Sequence, residues 1–217
     1  MLVIVAPGQG AQTPGFLTPW LEDPAFAARF EWLSTVAGLD LVEHGTTSDA
    51  ETIRATEVAQ PLLVATGLVA ALQLFPHPGD AFDRIGAVAG HSVGEITAAA
   101  IAGVFSLADA CKLVAARARL MGETDAGSML VVFADQKQTQ ELLADHPELE
   151  ICAVNGPQNT VVGGHPDHIK NLQGALQSAS IQCRLLPVQH AFHTQAMEPV
   201  LAQFQAAIKD IKFVTPR

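Results

Sequence analysis

Gly90-His91-Ser92-Val93-Gly94 is a G-x-S-x-G placed between an apolar run, Ile85 to Ala89, and an alanine-rich stretch from Glu95 to Ala102. Strand, tight turn and helix in that order push a serine hydroxyl out of the chain. The glycines let the backbone close on itself, while the amide of the next residue and the helix N-terminus face negative charge developing in front of the serine. Ser92 is therefore a candidate nucleophile. The competing reading is an ordinary glycine-rich turn with Ser92 as a helix N-cap.

A serine nucleophile needs a base, and the chain has eight histidines. His193, in Gln189-His190-Ala191-Phe192-His193-Thr194, lies where a small subdomain would return the chain to the main body, so it would face Ser92 across a cleft; His190 is not separable from it on sequence. The HxxH spacings His165 to His168 and His190 to His193 have no third ligand cluster near them, so no metal is expected. Gly8-Gln9-Gly10-Ala11-Gln12 follows an apolar run but lacks the third glycine of a dinucleotide fingerprint and the lysine and serine of a P-loop. Nucleotide binding is not expected on that ground, and a backbone amide of this turn could instead be a second oxyanion donor. Arg117 sits on an alanine-rich helix. A solvated surface role is one reading, and a cleft position holding a carboxylate by two parallel hydrogen bonds is the other. Glu95 complements the dipole of its helix.

These residues must be positioned by elements legible in the pattern. Leu2 to Ala6 reads as a strand covered on both faces, Pro24 to Val36 as a helix, and Pro61 to Phe75 as a core helix with Pro61 at its first position. Pro76 to Asp80 reads as a surface loop, and Ser106 as the N-cap of a helix reaching Met121. After Gly127 the spacing changes to strand (128–133), helix (136–144), two strands (149–155 and 160–163), helix (166–179) and strand (181–188), the order of a ferredoxin-like unit. The division expected is therefore 1–126 with 190–217 as the main body and 127–189 as the small subdomain. Helical periodicity resumes from Ala191 to Ile208, and Phe213-Val214 could begin a further strand.

Composition sets the outer bounds. The 217 residues are 49% hydrophobic and 16% charged, enough to build a core, and the net charge of −10 disfavours a nucleic-acid binder. Cys111, Cys152 and Cys183 are odd in number and scattered, which fits a reduced, cytoplasmic protein. The N-terminus has no charged lead-in of a signal peptide, and the apolar stretch from Pro61 to Leu72 is short for a membrane span.

Taken together, Pro7 to Gln12, the Thr56 to Leu62 segment with Gln60-Pro61, Gly90 to Glu95, Arg117 with Met121, Asn155-Gly156-Pro157 and Ala191 to Thr194 resemble the malonyl-CoA:acyl carrier protein transacylase family, in order and spacing over essentially the whole chain. The resemblance implies an α/β fold, an α/β-hydrolase-like main body with an inserted ferredoxin-like subdomain. It implies Ser92 as nucleophile, His193 as base, the amides of Gln9 and Val93 as oxyanion hole, and Arg117 as ligand of the malonate carboxylate. Met121 and Asn155 fall in its substrate-binding set. Phe192, in His190-Ala191-Phe192-His193, resembles the signature that accompanies malonyl over methylmalonyl units, where a bulky ring crowds a branched α-carbon. The implied partners are malonyl-CoA as substrate and acyl carrier protein, which brings its own phosphopantetheine; no cofactor, nucleic acid or membrane is implied.

Members of the family continue with further strands and a glutamine that orients the histidine, so the chain reads as C-terminally truncated. Two other readings compete. One is a serine esterase or thioesterase, with Asp167 as its acid; the other is a non-catalytic paralogue that binds carrier protein or CoA. Lys170 and Arg184 are candidate docking cations for an acidic carrier protein.

Overall fold

The opening apolar pentapeptide forms strand β1 (Leu2–Ala6) in the computed structural model, which describes residues 1–217 apart from the side chain of Pro78. There follow α1 (Pro24–Ala37), α2 (Leu41–Thr46), α3 (Thr56–Leu74), α4 (Pro78–Arg84), β2 (Ile85–Gly90), α5 (Gly94–Ile101) and α6 (Leu107–Gly122). The remainder is β3 (Ser128–Val132), α7 (Gln136–Leu142), β4 (Glu150–Gly156), β5 (Asn159–Gly164), α8 (Pro166–Ser178), β6 (Cys183–Leu185) and α9 (Leu201–Ile208). Short 3-10 helices occupy Thr52–Arg54, Leu143–Asp145 and Gln195–Val200. The α/β class expected from the sequence holds.

Two compact units divide the chain: Met1–Gly122 with Gln203–Arg217, and Glu123–Ala202. In the first, β1 and β2 pair in parallel, Ile4 opposite Val88 and Ala6 opposite Gly90, and α5 packs on both. Coverage on both faces is not seen, since Val3 is 41% and Val5 69% exposed. The core lies among the helices instead, where α3 packs along α6 and α1 crosses both, burying Phe26, Phe30, Leu62, Leu68 and Val114. The helix ends follow their sequence signals. Asp23 accepts from the Ala25 and Phe26 amides at 2.7 and 3.0 Å, Gly38 closes α1 at a φ of 67°, and Ser106 accepts from the Asp109 amide at 3.0 Å.

Helix α3 differs from expectation. It begins at Thr56, with Pro61 inside it, so one carbonyl in its first turns lacks its intrahelical donor. At 19 residues it is long and apolar enough to cross a membrane, yet Val58, Leu62, Ala65 and Leu68 are buried within the protein. The expected loop after it already starts α4, with a proline in its first turn.

The second unit follows the β-α-β-β-α-β order, with an antiparallel sheet in the order β4-β5-β3-β6. β3 is central and buried on both faces from Met129 to Val132. Leu130, Val132 and Val162 meet Ile169, Leu172 and Leu176 of α8 in one apolar layer. β6 is shorter than the pattern suggested, and residues 191–194 are not helical: Thr194 Oγ1 donates to the Ala191 carbonyl at 2.7 Å and the helical geometry starts only at Gln195.

The unit boundary also falls elsewhere than 127 and 189. The segment 190–202 packs with the second unit because the Gly127 amide donates to Gln189 O at 2.8 Å, Thr124 Oγ1 meets His190 Nδ1 at 3.1 Å, and Glu150 Oε1 accepts from the Gln195 amide at 3.1 Å. Phe213-Val214 forms no strand. That segment lies along the loop between α5 and α6, where the amides of Val214 and Arg217 donate to the carbonyls of Val104 and Ala102 and Phe213 meets Phe105 edge-on at 5.7 Å.

Truncating the central layer tests this packing. Leu130 is fully buried, so Leu130→Ala should destabilise the chain by about 2–5 kcal/mol, read as a lower urea midpoint at unchanged slope.

Candidate active site

The link from β2 to α5 is a turn whose centre no ordinary residue prefers. Ser92 has a φ of 51°, in the left-handed region, a conformation that costs of order 1–3 kcal/mol unless its surroundings impose it. They do: the His91 amide donates to Ala6 O at 3.0 Å, the Gly94 amide to His91 O at 2.9 Å, and the Glu95 amide to Ser92 O at 3.0 Å. A Cβ on Gly90 would overlap the backbone of Gly94 and Glu95, and one on Gly94 would overlap the carbonyls of Ala6 and Pro7. The motif thus needs both glycines for close approach. Val93, next to the serine and 1% exposed, is the N-cap of α5, which places its amide in the first turn of that helix.

The glycine turn after β1 lies against this one. A Cβ on Gly8 would come within 2.6 Å of His91 Nδ1. Two side-chain amides pin it to the neighbouring 3-10 turn, Gln9 Nε2 donating to Arg54 O at 3.1 Å and Gln12 Nε2 to Ile53 O at 2.8 Å. Gln12 Oε1 accepts from the Gly10 amide at 2.9 Å. The side chain of Gln9 is thus engaged in holding the turn, leaving its main chain as the part able to serve chemistry.

Arg117 is not a solvated surface residue. Burial draws its guanidinium below the usual arginine range, and the charge of Glu95 opposes that shift by favouring the cation. Its Nη1 donates to Gln60 Oε1 at 2.5 Å, and Gln60 is 2% exposed. On sequence Gln60 is part of one of the motifs that carry the resemblance, with no role of its own; its contact with Arg117 appears once α3 packs on α6. Met121, one turn beyond Arg117 and 7% exposed, holds its sulfur 3.8 Å from Gln60 Nε2.

Ser92, Val93, Gln9, Arg117 and Met121 therefore belong to the first unit, and His193, Phe192 and Asn155 to the second. His193 is exposed, at a φ of 61°. His190, in contrast, is 9% exposed and engages Thr124 within its own unit, which separates two histidines that the sequence left alike. Phe192 is 7% exposed and lies 5.7 Å from the His190 ring. On the exposed start of α8 the His165 ring accepts from the Asp167 amide at 3.4 Å, and His168 Nδ1 lies 2.6 Å from a Glu148 carboxylate oxygen, so that HxxH pair has surface carboxylates as neighbours. Competing thiol nucleophiles are disfavoured by their protonation. Burial pushes Cys111 up to about 12, and burial with the charge of Glu150 does the same to Cys152.

A serine held out on a left-handed turn, amides at a helix start and a desolvated cation in the same unit can form an acyl-serine, hold its oxyanion and attract a carboxylate; that is the chemistry of acyl transfer. The family model for the acyl transferase domain matches residues 3–217, and the chain belongs to that family. It is 38% identical over its whole length to the malonyl CoA-acyl carrier protein transacylase of Mycobacterium tuberculosis, covering 72% of that protein. It is equally 38% identical to one of the phenolphthiocerol/phthiocerol polyketide synthase polypeptides of the same organism, of which it spans 14%. The crystal structure of the M. tuberculosis transacylase superposes with a TM-score of 0.89 at 36% identity, over 99% of this chain and 71% of that one.

The close approach of the two turns yields a test. Gly94→Ala should lower the melting temperature by several degrees, because the Ala6 and Pro7 carbonyls it would strike are backbone and cannot step aside. A variant melting with the parent chain would show the turn to be looser than described.

Proposed function

We propose that this chain transfers a malonyl group from malonyl-CoA to the phosphopantetheine thiol of an acyl carrier protein by way of a malonyl ester on Ser92. Arg117 carries the reading. A guanidinium desolvated in the same unit as the serine suits an acyl group with a free carboxylate and has no use for a neutral one. The M. tuberculosis relative's name gives it the same malonyl transfer, whereas the polyketide synthase relative leaves open which pathway the product enters.

In this reading His193 takes the Ser92 hydroxyl proton as the oxygen attacks the thioester carbonyl. The amides of Gln9 and Val93 hold the oxyanion; the C–S bond breaks, and CoA leaves with the proton returned by His193. The carrier thiol then repeats the sequence in reverse, its sulfur taking the malonyl group and its proton passing through His193 back to Ser92. Met121 and Asn155 complete the substrate contacts, Phe192 excludes a methyl branch, and no cofactor takes part. Lys170 and Arg184, both exposed, are the cations offered to an acidic carrier protein. Free thiols at Cys111, Cys152 and Cys183 support a reducing, cytoplasmic setting. The esterase reading would need as its acid Asp167, an exposed residue at the start of α8.

Incubation with malonyl-CoA should add one malonyl mass to Ser92, and Ser92→Ala should remove it; an adduct persisting elsewhere in the variant would defeat the assignment. For Arg117→Ala, two charge-assisted hydrogen bonds at ~1.5–3 kcal/mol each predict at least ~100-fold slower malonyl loading relative to acetyl loading. Equal loss with both esters would mark the arginine as structural. Phe192→Ser should relax discrimination against methylmalonyl-CoA by about 10–200-fold, measured by competition between the two esters.

A further inference from the structure

Gln60 is a polar residue in the apolar interior of α3, 2% exposed, and both ends of its amide are engaged by the facing helix. Oε1 accepts from Arg117 Nη1 at 2.5 Å, and Nε2 points to Met121 Sδ at 3.8 Å, one turn along α6. This orientation is forced, because a guanidinium has no acceptor and a thioether no donor, so the amide fits one way round. The amide accepts from a part-buried guanidinium N–H without cancelling its charge. A carboxylate of the same shape would accept the same bond and neutralise the cation; an apolar side chain would keep the charge and leave the N–H unpaired.

We propose that Gln60 is a positioning residue that aims Arg117 while leaving its positive charge for the acyl group, so that the neutrality of this one amide sets the preference for acidic over neutral acyl units. The inference rests on the malonyl reading of Arg117 and adds to it the residue that tunes that arginine. Glu95 supports the cation through its charge without replacing the amide, since burial remains the larger influence on the guanidinium.

The test is single-turnover acylation of Ser92 by malonyl-CoA and by acetyl-CoA, in the parent chain, Gln60→Glu, Gln60→Met, Arg117→Ala and the double variant Gln60→Glu/Arg117→Ala. Gln60→Glu should lower the malonyl-to-acetyl ratio by at least ~10-fold. The loss should fall in the half-saturating malonyl-CoA concentration and not in the maximal rate, because the contact is remote from the reacting carbonyl and equally present in ground and transition states. Added to Arg117→Ala, the same substitution should change the ratio less than twofold, since its effect runs through the arginine. If Gln60→Glu melts early, Gln60→Met supplies the reading: it adds no charge, so it should lower the ratio less than Gln60→Glu while again raising half-saturation. Equal loss of both esters in Gln60→Glu, or an undiminished effect in the Arg117→Ala background, would overturn the proposal. If Arg117→Ala loses both esters equally, or the parent chain takes up neither, it is the malonyl reading that fails.

Discussion

The close packing of two backbone turns is the constraint from which the rest of the first unit follows. The turn after β1 and the turn after β2 lie so close that a Cβ on Gly90 or Gly94 would overlap backbone and one on Gly8 would press on the His91 ring. Parallel pairing of β1 with β2 brings the ends of both strands to one level, Ala6 opposite Gly90, and the Ala6 carbonyl then accepts the His91 amide. Only because that contact fixes the chain can Ser92 be held at a positive φ. The strain at the serine is offset by backbone hydrogen bonds and by packing of α5 on the strands, a division of labour in which a rigid scaffold imposes an unfavourable local geometry on one residue.

The helical core contributes a second constraint of a different kind. α3 is apolar enough to be buried and therefore brings to its interface with α6 very few polar atoms. Those it does bring have to be matched, because an unpaired buried donor or acceptor is costly. Gln60, Arg117 and Met121 are the solution: an amide, a cation and a soft sulfur that satisfy one another inside an otherwise hydrophobic helix pair. Burial disfavours the charged form of the guanidinium, and the charge of Glu95 acts the other way.

The second unit solves the ordinary problem of a four-stranded sheet by covering one face with α8 around Leu130, Val162 and Leu172. The segment from His190 to Thr194 is tied down within this unit, at His190 by Thr124 and at its flanks, where the Gly127 amide donates to Gln189 O and Glu150 accepts from the Gln195 amide. His190 has its ring used in that anchoring, whereas the neighbouring His193 is exposed.

Much of this was legible in the amino-acid order because it is local. The strand-turn-helix around Ser92, the cap at Ser106, the chain order of the second unit and the pattern of motifs all depend on residues a few positions apart, where periodicity, glycine and capping chemistry act. The sequence misled or fell silent where non-local contacts decide. Pro61 lies inside α3 because tertiary burial of the whole helix outweighs one lost hydrogen bond. Phe213-Val214 lies along a loop, since Phe105 and the Val104 carbonyl are there to receive it. The 190–202 segment sides with the second unit through bonds to residues far away in the chain. Arg117 shows the difference most plainly. Its type and its helix were readable, but its hydrogen-bond partner is Gln60, 57 residues away, and only the packing of α3 against α6 brings an uncharged acceptor to a part-buried cation.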